Sequence, residues 1–133
     1  LCTTMLEIID KTFDEDIPDY NTYRVLNSVM NYFNQNEKNL NNAFYYFLLH
    51  FLKNNGYDIL NAKKHPTVLR FQQKNANILE DLNAIFHLDL SAMDKSVSNV
   101  RYEKKIMTQF MSEIVKYHFP DMKSFKVAKD LFN

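Results

Sequence analysis

The amino-acid sequence predicts an all-α fold, a compact bundle of about five to six helices that forms one domain over residues 1–133. The chain contains one glycine and three prolines, too few for the many tight turns of a β-sandwich. Eleven phenylalanines and eight tyrosines supply ample material for a core. Apolar residues recur every three or four positions, which is the helical period.

The first forty residues contain two predicted helices. Apolar residues recur at helical spacing between Leu1 and Phe13, and the segment Asp-Glu-Asp-Ile-Pro at 14–18 ends this first helix. The second helix is predicted from a single apolar face, made by Tyr23, Leu26, Met30 and Phe33. The polar residues 34–39 form the turn after this helix.

The third predicted helix, from about Leu40 to Asn55, is the most hydrophobic part of the chain. A helix that is apolar almost all round is normally a core helix. Gly56, the only glycine, follows it directly, and glycine adopts φ > 0 without strain just past a helix C-terminus. We therefore expect a buried helix that ends at Gly56.

Residues 56–75 leave two alternatives open. Pro66 disfavours helical geometry at His65. The residues that follow, 67–71, fit either the start of a helix or a short strand, so one strand pair near residues 67–72 remains possible.

Helical spacing returns further along the chain. It predicts a helix over Ile78–Phe86 and a long amphipathic helix over Ile106–Tyr117, which stops near Phe119 and Pro120. A last short helix is predicted within Phe125–Phe132.

Motifs for catalysis or metal binding are not evident. One glycine cannot build a phosphate-binding loop, and Cys2, the only cysteine, cannot form a disulfide within the chain or a cysteine zinc site. The histidines His50, His65, His87 and His118 lack metal-ligand spacing. No apolar stretch reaches the ~18 residues of a transmembrane helix. We expect a cytoplasmic protein that is not an enzyme and that has no metal or cofactor.

Charge is unevenly distributed although the net charge is zero. Residues 1–40 hold seven acidic and three basic residues, whereas residues 95–133 hold eight basic and four acidic ones. The basic segment suits an acidic partner or phosphates, while an ordinary solvated face is the alternative. A basic helix beside an apolar groove is suited to acidic peptide tails with apolar anchors.

Two groups of residues resemble the helical domain of the bacterial recombination mediator RecO. In the first 57 residues, the similar features are the acidic turn with proline at 14–18 and an apolar helix that ends in Leu52 and Gly56-Tyr57. The C-terminal part resembles the ending of Bacteroidetes-type members at Arg101, Met111, 117–120, 122–124, Val127 and 131–132.

The chain departs from this family in two ways. Many members carry a four-cysteine zinc module after the Gly-Tyr pair, and this chain has none. The family's N-terminal OB-fold, which binds single-stranded DNA and the partner RecR, is also missing. The resemblance therefore implies the C-terminal helical part of a longer protein, without zinc.

The resemblance also implies a role and a site. RecO helps to load recombinase onto DNA and anneals strands, and its helical domain docks the acidic, Phe-ended tail of single-stranded DNA-binding protein. The matched motifs indicate Arg101, Lys123 and Ser124 as contacts, and charge and spacing add Lys126 and Lys129. Two alternatives stay open: Ser124 caps the last helix beside a solvated Lys123, or the chain is a helical protein–protein interaction scaffold of an unrelated family.

Overall fold

The computed structural model describes residues 5–7, 9, 20–36, 40–61, 65–90 and 102–120. Residues 5–7 and 9 are helical, and no strand occurs within these ranges, so the predicted all-α fold is confirmed. No helix in the described part of the chain is long and apolar enough to cross a membrane. The later helices are α1 (Tyr20–Gln35), α2 (Leu40–Asn54), a 3-10 helix (Ile59–Asn61), α3 (Pro66–Lys74), α4 (Ile78–Phe86) and α5 (Lys104–His118).

Helix α2 is the centre of the fold. It packs against α1, α4 and the 3-10 helix. Nine of its fifteen residues are buried, including Phe44, Phe47 and Phe51. Full burial of one such side chain is worth about 1.5–3 kcal/mol, so α2 supplies much of the energy of folding. The prediction of a core helix at this position is confirmed.

Gly56 ends α2 as the sequence predicts. Its φ is +93°, the left-handed region. The Gly56 N–H donates to the Lys53 carbonyl at 3.1 Å, and the Tyr57 N–H donates to the Leu52 carbonyl at 2.8 Å. These two bonds form a Schellman motif, which satisfies carbonyls that the helix leaves without partners.

Replacement of Gly56 by alanine should destabilise the protein by about 1–2 kcal/mol, because an L-residue is strained at this φ. A Cβ placed there meets no atom within 4 Å, so the cost arises from the backbone alone. Urea denaturation measures the difference. Gly56→Asn is the matched control and should lose less, since asparagine tolerates the left-handed region. Equal losses for both variants would contradict this reasoning.

The buried face of α1 differs from the predicted one. Thr22, Val25, Val29 and Tyr32 are buried. Leu26, Met30 and Phe33 pack against the core only in part, and Tyr23 is 44% exposed. Each buried residue of α1 therefore lies one position before the predicted one, so the helix is rotated about its axis. This orientation is preferred because Val25, Val29 and Tyr32 pack against the aromatic surface of α2.

The strand alternative near residues 67–72 is wrong. Residues 66–74 form α3, with Pro66 at the first helical position, where its missing N–H costs nothing. His65 precedes the helix in extended geometry, as its neighbour proline requires, and its side chain caps the helix. Val68 and Phe71, three positions apart, are both buried, which explains why a helix is preferred to a strand here.

Helix α5 confirms the amphipathic helix predicted over Ile106–Tyr117. It packs against α3, where the rings of Phe71 and Phe110 meet edge to face at 5.4 Å. An ion pair between Arg70 and Glu113 joins the same two helices. The predicted helix within 125–132 and most of the one predicted before residue 14 lie outside the described residues.

Candidate functional site

A groove lies between the C-terminal end of α2, the 3-10 helix and α4, and we call it the α2–α4 groove. Its volume of about 420 Å³ falls within the ~300–1,000 Å³ typical of ligand sites. It combines apolar and polar side chains, as binding sites commonly do. The lining residues are Lys53, Asp58, Leu60, Asn61, Leu79, Glu80, Asn83, Phe86 and His87.

One wall of the groove is held by stacked rings. The His50 imidazole lies parallel to the Phe86 ring at 3.9 Å, with an angle of 4° between the planes. Tyr46 contacts the His50 ring at 4.1 Å. The Nε2–H of His50 also donates to the Phe86 carbonyl at 2.8 Å, which ties the end of α4 to α2. Burial lowers the pKa of His50, so this imidazole favours its neutral form.

Charges of both signs surround the groove. The Lys53 ammonium lies 4.9 Å from the centre of the Phe86 ring, a cation–π contact that places a positive charge above an apolar surface. The Asp58 carboxylate accepts a hydrogen bond from the Asn61 amide at 2.8 Å. Glu80 lies in the first turn of α4, where the helix dipole favours a negative charge. The groove therefore offers an apolar surface, one exposed ammonium and two carboxylates.

The site residues predicted from the sequence fall in the C-terminal part of the chain. All five, Arg101, Lys123, Ser124, Lys126 and Lys129, lie outside the described residues. Nearby parts of the basic segment are described: Lys104 and Lys105 are exposed in the first turn of α5, and Lys116 is exposed in its last turn. Glu103 precedes α5 without a side-chain capping bond, so the structure gives this positively charged helix start no acidic side-chain cap.

Two features of the structure were not predicted from the sequence. The lining of the α2–α4 groove comes from three elements between residues 53 and 87, and no short motif marks it. His65 and His118, which are 53 positions apart in the sequence, have their Nε2 atoms 3.3 Å apart. The His65-Pro66 pair was a usable signal for the first of them, because proline at the first helical position makes the preceding residue a helix cap.

Within the described ranges, no group of three or more His, Cys, Asp or Glu side chains is placed to hold a metal ion. The chain matches no protein-family model, no curated protein and no solved structure. The α2–α4 groove and the charge distribution are therefore the observations that bear on function.

Proposed function

We propose that this chain is a non-enzymatic module of DNA repair and recombination that docks the acidic tail of single-stranded DNA-binding protein. In this role it assists recombinase loading or strand annealing, together with RecR and single-stranded DNA. The observation that carries the proposal is the pairing of Lys53 with the apolar surface of Phe86 in the α2–α4 groove. The all-α fold and the basic segment 95–133 support it.

The groove chemistry suits the end of such a tail. Leu60, Leu79 and Phe86 offer an apolar surface to a terminal phenylalanine ring. The exposed Lys53 ammonium can pair with a chain-terminal carboxylate, an interaction that gains strength from charge-assisted hydrogen bonds. Asp58 and Glu80 repel further acidic residues, so only the end of the tail enters the groove. The preceding acidic residues are opposite in charge to the basic segment 95–133.

Fluorescence anisotropy with a labelled acidic, Phe-ended tail peptide tests this proposal on the full chain. Lys53→Glu should weaken binding by about tenfold or more, which corresponds to about 1.4 kcal/mol, and the remaining binding should respond less to salt. Lys74→Glu is the matched control, because the Lys74 ammonium also lies over a phenylalanine ring, 5.5 Å from the centre of Phe71, but outside the groove. It should leave the affinity within about twofold.

Two further measurements decide where the tail binds. A tail peptide whose last residue is alanine should bind weakly to the unchanged protein, since the apolar anchor is lost. Lys123→Glu tests the site predicted from the sequence. If Lys123→Glu abolishes binding and Lys53→Glu has no effect, the tail docks on the C-terminal residues and the groove assignment is wrong. Absence of binding to the unchanged protein contradicts the proposed function.

The two carboxylates of the groove favour a second candidate, a helical protein–protein interaction scaffold of an unrelated family. Asp58 and Glu80 beside Lys53 complement a partner that presents both a basic and an acidic group. This candidate predicts no preference for a Phe-ended acidic tail over a scrambled peptide of the same composition. The anisotropy titration with the scrambled peptide separates the two functions.

A further inference from the structure

Two imidazoles join the start of α3 to the end of α5. The Nε2 atoms of His65 and His118 lie 3.3 Å apart, within reach of one N–H···N hydrogen bond. Both side chains are partly buried. The centre of the Tyr57 ring lies 4.6 Å from that of the His118 ring, and the centre of the Tyr117 ring lies 4.7 Å from that of the His65 ring. Aromatic rings therefore flank the pair.

The capping bond of α3 determines where the protons are. The Thr67 N–H donates to Nδ1 of His65 at 3.2 Å, so this nitrogen carries a lone pair. In neutral His65 the proton is then on Nε2, which donates to His118. Nε2 of His118 must therefore be the acceptor, and its proton is on Nδ1. The arrangement holds only when both imidazoles are neutral.

We propose that the His65–His118 pair is a proton-sensitive latch, which holds the first turn of α3 against the last turn of α5 and which loses either its own hydrogen bond or the cap of α3 when one imidazole gains a proton. Protonated His118 places an N–H at Nε2, opposite the N–H of His65. Protonated His65 keeps its Nε2–H bond to His118 but places an N–H at Nδ1, opposite the Thr67 N–H, so α3 loses its cap. Each protonation replaces a hydrogen bond by two facing donors.

Within the described residues, no carboxylate forms an ion pair with either imidazole. Of the charged side chains described on α3 and α5, Arg70 and Glu113 pair with each other, and Lys116 is positive and exposed. Beyond Tyr57, Asp58 accepts its hydrogen bond from Asn61. Burial lowers the pKa of both imidazoles, and the proximity of His65 lowers that of His118 further, to about 4. The latch is therefore closed at neutral pH.

Amide hydrogen exchange on the intact chain measures the opening. If His118 regains its ordinary pKa of 6.5 on opening, the open population rises by about 30-fold between pH 7.5 and pH 5. Solvent contact of the imidazoles reduces this effect, so we expect protection at Thr67 and Leu69, whose N–H groups both donate to His65, to fall by about tenfold after correction for intrinsic rates. Protection at the core residues Val29 and Phe47 should change less.

Two variants separate the latch from general acid destabilisation. His65→Asn retains a side-chain cap that does not titrate, and it should remove most of the pH dependence at Thr67 and Leu69. His118→Gln offers an amide oxygen to the His65 Nε2–H and should reduce the pH dependence in the same way. The latch is disproved if the amides of Thr67 and Leu69 keep their protection at pH 5, or if both variants lose it as the unchanged protein does.

Discussion

Replacement of Phe47 by alanine should lower the free energy of unfolding by about 3–5 kcal/mol, the usual cost of truncating a fully buried phenylalanine. Phe47 is fully buried in the middle of α2. Its ring lies 6.4 Å from Phe44 and 5.6 Å from Phe51, so its loss leaves a cavity inside an aromatic cluster. Rigid aromatic neighbours fill such a cavity poorly, which places the expected loss near the upper end of this range.

Urea denaturation followed by circular dichroism measures the loss, and the matched control is Tyr20→Ala. Tyr20 is 76% exposed on α1, so its truncation should change stability by no more than about 0.5 kcal/mol. Phe47→Leu preserves more volume and should cost less than Phe47→Ala. A loss below about 1 kcal/mol for Phe47→Ala would show that α2 is not the centre of the core.

The sequence was sufficient to predict the helices whose pattern is long and regular. Residues 40–54 are apolar almost throughout and end at a glycine, so their helix and its end were both predictable. Helices Ile78–Phe86 and Lys104–His118 follow from apolar spacing. The orientation of α1 was less predictable, because Val25 and Val29 compete with Leu26 and Met30 for the same core surface.

Helix α3 shows where local propensity is insufficient. Thr67 and Val68 are β-branched and favour a strand when considered alone. The helix is decided by tertiary contacts, since Phe71 packs against Phe110 and Arg70 pairs with Glu113. Both partners lie about forty residues further along the chain, so no local pattern reveals them.

The candidate site was less predictable than the fold for the same reason. Lys53 and Phe86 are 33 positions apart, and His65 and His118 are 53 positions apart. Only the packing of α2 with α4 and of α3 with α5 brings them together. The basic residues 101, 123, 126 and 129 were identified from charge and resemblance, and as contacts they stay predictions.

The free energy of unfolding should fall as the pH is lowered from about 6.5 to about 4. His50, His65 and His118 all have a pKa lowered by burial in the folded protein. Below pH 6.5 the unfolded chain therefore binds more protons than the folded one. The free energy of unfolding consequently falls as the pH is lowered through this window. The pKa of His118 is about 4, where this imidazole gains its proton in the folded state as well. After discounting for solvent contact, we expect a total loss on the order of 2 kcal/mol.

Urea denaturation at a series of pH values tests this expectation, and two variants should change it in opposite directions. His118→Gln removes one titrating group and should make stability depend less on pH. Asp81 acts the other way, because burial and the nearby Glu80 raise the pKa of its carboxyl. The folded protein protonates Asp81 more readily than the unfolded chain, which adds stability as the pH falls, so Asp81→Asn should enlarge the loss in acid. If stability is constant between pH 6.5 and pH 4 and neither variant alters it, the three histidines are not held neutral by the fold.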